Sequence, residues 1–283
     1  MKNIFITFTA ILLVSASLVS AQSSFQDTAI TKLWEASDNL LTPESVLYDA
    51  HENVLYVSCV NHNPWSKDEN GYIAKLSVDG KTINNQWATG LSAPKGMGIT
   101  HGKLYVTNID EVVEISLETG IIANRYTHPR AINLNDIAVS SDGIVYVSDS
   151  KGDCIFKLQD HKLQILTDSP EVKASNGLFL EKGLLLCGQQ NRIAALNLQT
   201  LEVSSFIENT GGIDGIEAIG IETYLFSDWA GHIYFAQPGS EKKLILDTTP
   251  LKINAADIGF DRTRMILFVP TFFHNSVAAY KYN

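Results

Sequence analysis

One phrase recurs six times along this chain of 283 residues, and the spacing of its copies limits the fold more than any other feature. The clearest copy is "LNDIAVSSDGIVYVSDS", Leu134 to Ser150: two polar residues within an alternating strand, an Asp-Gly turn, and a second strand ending in Ser-Asp. Aligned on the residue that precedes each first strand, the copies begin at Glu44, Lys95, Asn135, Asn176, Asp214 and Ala256. The steps between these anchors are 51, 40, 41, 38 and 42 residues. In every unit the second and fourth residues after the anchor are apolar, which is strand periodicity. Further short strands follow, such as "GYIAKLSV", "CIFKL" and "RIAALNL".

A repeat near forty residues with about four short strands predicts an all-β chain, a six-bladed β-propeller with four-stranded antiparallel blades around a central channel. The period of two excludes a helical solenoid, and a β-sandwich does not explain six even repeats. "ITKLWEA", ahead of the first anchor, predicts a strand that completes the last blade. An unclosed ring would leave two bare sheet edges. The one long step places an insertion, "CVNHNPWSKDENG" at residues 59–71, between the second and third strands of blade one.

Lys2, the largely apolar stretch Ile4 to Val19 and the small-residue site Val19-Ser20-Ala21 read as a signal peptide cleaved near Gln22. The expected organisation is a leader at residues 1–21 and one propeller at 22–283, exported to a periplasm or beyond the cell. The apolar run is short for a bilayer span. Cys59, Cys154 and Cys187 are an odd set inside or just after strand phrases, which predicts buried thiols and no disulfide framework. The net charge of −10 becomes −11 once Lys2 leaves with the leader. An acidic chain with scattered Lys and Arg argues against nucleic acid or an anionic membrane as partner. A small-molecule substrate is the expected partner.

In a propeller the innermost strand of each blade lines the channel, so its starting residue sits at one mouth. Six anchors from six blades therefore meet in one ring. Glu44, Asn135, Asn176 and Asp214 offer two carboxylates and two amides, a donor set suited to a hard divalent cation. Ca²⁺ is the first expectation, with Mn²⁺, Mg²⁺ and Zn²⁺ as further ions to test. No His or Cys stands among the anchors, which disfavours a dedicated zinc or copper site. The competing reading is that these residues only cap strands and bind channel water, or hold a purely structural ion.

Lys95 brings a cation to the same ring. Pointing up, it could bind an anionic substrate or stabilise an oxyanion; pointing out, on its Pro-Lys-Gly turn, it would do neither. Loops after each second strand share this face. They carry His62 and Trp65 from blade one, Trp229 from blade five, and Phe272, Phe273 and His274 from blade six. Blades one and six are neighbours, so His62 and His274 could sit over a metal as proton shuttles. The aromatics could wall a ligand pocket or pack between blades. No G-x-S-x-G elbow, P-loop or H-E-x-x-H motif competes.

The Glu near the first inner strand, "NDIAV…DGIVYVSD", "SNGLFL" and "DGIEAIG" resemble the SMP-30/gluconolactonase/LRE-like family of six-bladed propellers, related to diisopropylfluorophosphatase and paraoxonase. The similarity runs over nearly all of the chain after the leader. It implies one divalent cation held by Glu44, Asn135, Asn176 and Asp214, and hydrolysis of lactones or related esters with Asp214 as base or nucleophile. Lys95 departs from the family pattern, and a paraoxonase-like His dyad is not evident. The expected function is an exported, metal-dependent hydrolase. The alternative is a non-catalytic propeller that binds a ligand or partner protein around a structural metal.

Overall fold

A computed structural model of the chain describes residues 25–283. The leader read at residues 1–21 lies outside the described residues.

Six antiparallel sheets stand around a common axis, and each is a blade. Blade one spans 43–91, blade two 94–127, blade three 134–167, blade four 178–208 and blade five 216–247. Blade six takes its three inner strands from Gly259–Asp261, Ile266–Pro270 and Val277–Tyr282. Its outer strand is Ile30–Ala36, the predicted "ITKLWEA" segment, paired from Ile30↔Tyr282 to Ala36↔Val277. The ring is therefore closed by a strand from the opposite end of the chain. One feature was not expected: Phe25–Gln26 adds a fifth, two-residue strand to the outer edge of blade five.

The opening phrase folds as its alternation requires. Ile137↔Val147, Ala138↔Tyr146 and Val139↔Val145 pair in register, and the register breaks between Leu134 and Ile137. Equivalent breaks fall between Pro43 and Ser45, and between Pro94 and Met97. Each interruption contains an anchor. A bulge re-aims a side chain out of the ladder, so Glu44, Lys95 and Asn135 are released from strand geometry where the channel opens.

The Ser or Thr near the end of the phrase's second strand has a structural task. Ser148 Oγ accepts the Asp136 N–H at 2.9 Å and donates to the Asn176 carbonyl of the next blade at 2.7 Å. Ser227 repeats both bonds, from the Gly215 N–H and to the Ala256 carbonyl. Thr107 donates likewise to the Asn135 carbonyl at 2.7 Å. In blades two, three and five one hydroxyl thus ties the blade to the anchor of its neighbour, satisfying backbone groups outside the ladders. Blades four and six carry Cys187 and Val269 at this position instead.

Near the axis the inner strands approach so closely that glycine is required. A Cβ on Gly177 would lie 2.2 Å from the Asp214 carbonyl oxygen, and one on Gly259 would lie 2.2 Å from that of Val46. Between blades the core is apolar. Phe268 of blade six packs in one cluster with Val46, Leu55 and Val57 of blade one. Cys59, Cys154 and Cys187 are buried free thiols, as their strand positions predict. Among the described residues no helix is long and apolar enough to cross a membrane.

Candidate functional site

Asp214 lies at the channel mouth, 6 % exposed, with Oδ1 accepting a hydrogen bond from Asn176 Nδ2 at 2.9 Å. That bond commits the amide nitrogen of Asn176 and leaves its Oδ1 buried without a hydrogen-bond partner. Glu44 is 5 % exposed, and its Oε2 is likewise buried and unpartnered. Asn135 is partly exposed on the same rim. The sixth anchor, Ala256, is fully buried and contributes no donor.

Burial raises the pKa of Glu44 well above the usual carboxylate range; Lys95 opposes the shift, and the negative charges of Asp214 and Asp136 add to it. Burial also pushes Asp214 up to about 6, against the Asn176 hydrogen bond and the Lys95 charge. Two orphaned oxygens beside a pair of desolvated carboxylates are what a hard cation relieves. The donor set therefore fits a divalent ion held by Glu44, Asn135, Asn176 and Asp214.

Lys95 is not turned outward. It is 3 % exposed, and burial lowers its pKa while Glu44 and Asp214 hold it up. Among the described residues no ion pair within 4 Å joins Lys95 to either carboxylate. Its Nζ instead donates to the Pro64 carbonyl at 3.4 Å and lies 5.4 Å from the centroid of the Trp65 ring. The ammonium is thus lifted from the carboxylates toward the blade-one insertion. That insertion is tied down by Val60 N–H to the Thr42 carbonyl at 3.0 Å and by Lys67 Nζ to Asp110 Oδ2 at 2.5 Å. These contacts lean Pro64 and Trp65 over blade two.

The structure does not bring His274 to the ring. Its Nε2 lies 3.3 Å from Glu35 Oε1 on the outer strand of blade six, so its partner is a peripheral carboxylate. His62 and His274 therefore do not form the imagined pair over the axis. The physical reason is local: the 3-10 turn Phe272–His274 buries Phe272 and swings His274 outward. Trp229, Phe272 and Phe273 form an edge-to-face cluster with centroids 4.4–5.9 Å apart. Trp229 and Phe273 remain 44 % and 66 % exposed, leaving an apolar rim open to a ligand. Asn108 and Asp149, also on this face, serve the backbone: Asn108 Oδ1 accepts from Ser92 and Ala93, and Asp149 from Ile132 and Asn133.

Below the ring lies a second tier that the sequence reading missed. Asp136, Glu217 and Asp257 line a cavity of about 230 Å³ within the channel. Asp136 Oδ2 accepts the Leu178 N–H at 2.6 Å, and Asp257 Oδ2 accepts from Ser45 Oγ at 2.6 Å. Glu217 and Asp257 keep part of their surface open to the cavity although they sit deep in the protein. The signal was available: Asp136 and Asp257 stand one residue after their anchors, where blades two, four and five carry Gly. Glu217 interrupts an inner strand three residues after its anchor. Lys151 was also missed, because a lone exposed lysine after "VSDS" has no pattern of its own.

Burial raises all three channel carboxyls, Asp136 to about 7 and Glu217 to about 8, with Asp257 well above its ordinary value. A carboxyl with a higher pKa folded than unfolded holds its proton longer in the native state. Its stabilising contribution is complete below the unfolded value near 4 and is lost as pH rises through the folded value. With chelator present, the melting temperature should fall between about pH 5 and pH 8, by roughly 2–4 °C for each kcal/mol lost. Glu217→Gln should flatten that fall. Thermal melts across this range check it; a melting temperature that rises with pH would contradict the burial of these groups.

No family model matches the sequence, and no curated protein matches it. Solved structures do. A candidate gluconolactonase superposes with a TM-score of 0.63 at 16% identity, covering 90% of this chain and 92% of its own. A streptogramin B lyase gives 0.61 at 15% identity over 92% and 98% of the two chains. A catalytically inactive virginiamycin B lyase from Staphylococcus aureus with quinupristin gives 0.61 at 13%, over 89% and 98%. At such identities the likeness establishes the propeller fold that this chain shares with a gluconolactonase-like protein and with lyases.

Proposed function

We propose that the protein is an exported, divalent-metal-dependent hydrolase of lactones or related esters. The observation that carries this reading is the pair of buried, unpartnered oxygens, Glu44 Oε2 and Asn176 Oδ1, beside Asp214 at the channel mouth. Glu44, Asn135, Asn176 and Asp214 would hold the ion. When bound, a divalent cation supplies Lewis-acid polarisation of a substrate carbonyl.

The chain's own residues do the rest. Asn176 fixes the orientation of Asp214 through Oδ1, which leaves Oδ2 to take a proton from an attacking water. A neighbouring cation would draw the Asp214 pKa down from about 6, keeping it ionised at neutral pH as a general base must be. As the water oxygen bonds to the carbonyl carbon, the ester C–O bond breaks and the proton passes to the departing alkoxide. Trp229 and Phe273 offer apolar surface to the rest of the substrate.

A channel mouth plugged by Trp65 and Phe273 would favour a binding module. Phe273 packs on Trp229 and Phe272, while Trp65 lies against Lys95 and Lys151, so the two rings engage separate partners. Export rests on the leader read in residues 1–21. The deciding experiment is a panel of lactones and esters offered to metal-stripped protein, with Ca²⁺, Mn²⁺, Mg²⁺ and Zn²⁺ returned one at a time. Turnover restored by one ion is the expected result; no turnover with any ion replaces the hydrolase with the binding module.

A further inference from the structure

We propose that Lys95, Lys151 and Trp65 form an anion-recognition subsite, and that the substrate of the neighbouring ring is a lactone carrying a free carboxylate. This deepens the hydrolase reading and rests on it for the word lactone alone.

Three blades contribute. Trp65 comes from the blade-one insertion, Lys95 from the start of blade two and Lys151 from the loop after the second strand of blade three. Lys151 Nζ lies 3.8 Å from the Trp65 ring centroid and Lys95 Nζ lies 5.4 Å from it. Two ammonium groups thus share one indole, close enough that the Lys151 charge lowers the Lys95 pKa. Like charges drawn together are unfavourable unless something compensates. The indole face offsets part of this, since cation–π contacts contribute modestly at exposed sites. It cannot replace an anion.

The protein's own anions, Glu44 and Asp214, act on Lys95 only from beyond ion-pair distance. Among the described residues neither lysine has a carboxylate within 4 Å, whereas Lys67 of the same insertion is paired with Asp110. Lys95 is 3 % exposed and has one protein acceptor, the Pro64 carbonyl at 3.4 Å, for three N–H donors. Glu44 Oε2 is buried and unpartnered on the adjacent blade of the same mouth. The site is therefore bipolar. Its carboxylate-and-amide side suits a cation and a polarised carbonyl; its lysine side suits an anionic group on the same small molecule. Trp65, 53 % exposed, gives the body of that molecule a flat surface beside the two lysines.

The test uses two lactones that differ at one carbon. D-glucaro-1,4-lactone carries a carboxylate where D-glucono-1,4-lactone carries a hydroxymethyl group. Binding is measured by calorimetry on the full-length protein, with chelator and with the activating ion, at low and high salt. The carboxylated lactone should bind about 10-fold or more tightly than the neutral one, as charge-assisted hydrogen bonds allow. High salt should narrow the gap. Lys95→Met, which keeps the volume, and Lys151→Ala, at an exposed position, should each erase most of the preference while melting like the parent. Equal affinities, no binding of either lactone, or a preference that survives both substitutions overturns the subsite. A lysine-dependent preference without hydrolysis leaves the subsite standing and removes the hydrolase; hydrolysis without preference does the reverse.

Discussion

Asp214→Asn should lower turnover of the best lactone by about 10²–10⁴-fold, the usual contribution of a positioned proton-transfer group, and added metal should not restore it. Asn preserves the size of the side chain and one ligand oxygen, so the Asn176 contact at 2.9 Å can re-form and the fold should survive. It cannot accept a proton from water. Asn135→Ala removes a ligand without touching the base. Its loss should appear as weaker metal affinity and recover, at least in part, with excess ion. The measurement is turnover across a metal titration, with thermal melts as the folding control. Full recovery of Asp214→Asn at high metal would reduce Asp214 to a ligand.

The second large effect concerns closure. A chain starting at Asp38 lacks the outer strand of blade six, and should melt about 10 °C or more below the parent or fail to fold cooperatively. Ile30, 2 % exposed, leaves a core cluster shared by blades five and six, a loss of about 1.5–3 kcal/mol alone. Trp34 gives up its bond to the Val78 carbonyl at 3.1 Å and its contact with Phe268. The edge Val277–Tyr282 is bared for its whole length, which invites association between chains. A peptide spanning residues 25–37 should restore part of the lost stability when added in trans. Calorimetry and light scattering read both outcomes; an unchanged melt would mean that the ring does not depend on its closing strand.

The fold was legible because a propeller is a repetition. Six copies of one strand phrase at even spacing constrain the architecture in a way that no single strand could, and the closing strand followed from the cost of bare edges. The mouth ring was legible for the same reason: repeat-equivalent positions must converge, so Glu44, Asn135, Asn176 and Asp214 could be named together without knowing where any of them points. What repetition cannot encode is the direction of a side chain that leaves the pattern. His274 goes to Glu35 because a short turn buries Phe272. Lys95 rises toward Trp65 because a bulge frees it and an insertion covers it. Lys151 gains its neighbours only when blade three is set beside the blade-one insertion. Sequence periodicity determined the blades, their number and which residues begin the inner strands. Tertiary packing alone decided which oxygens remain without partners and which charges meet, since both depend on contacts between residues of different blades, thirty or more positions apart in the chain.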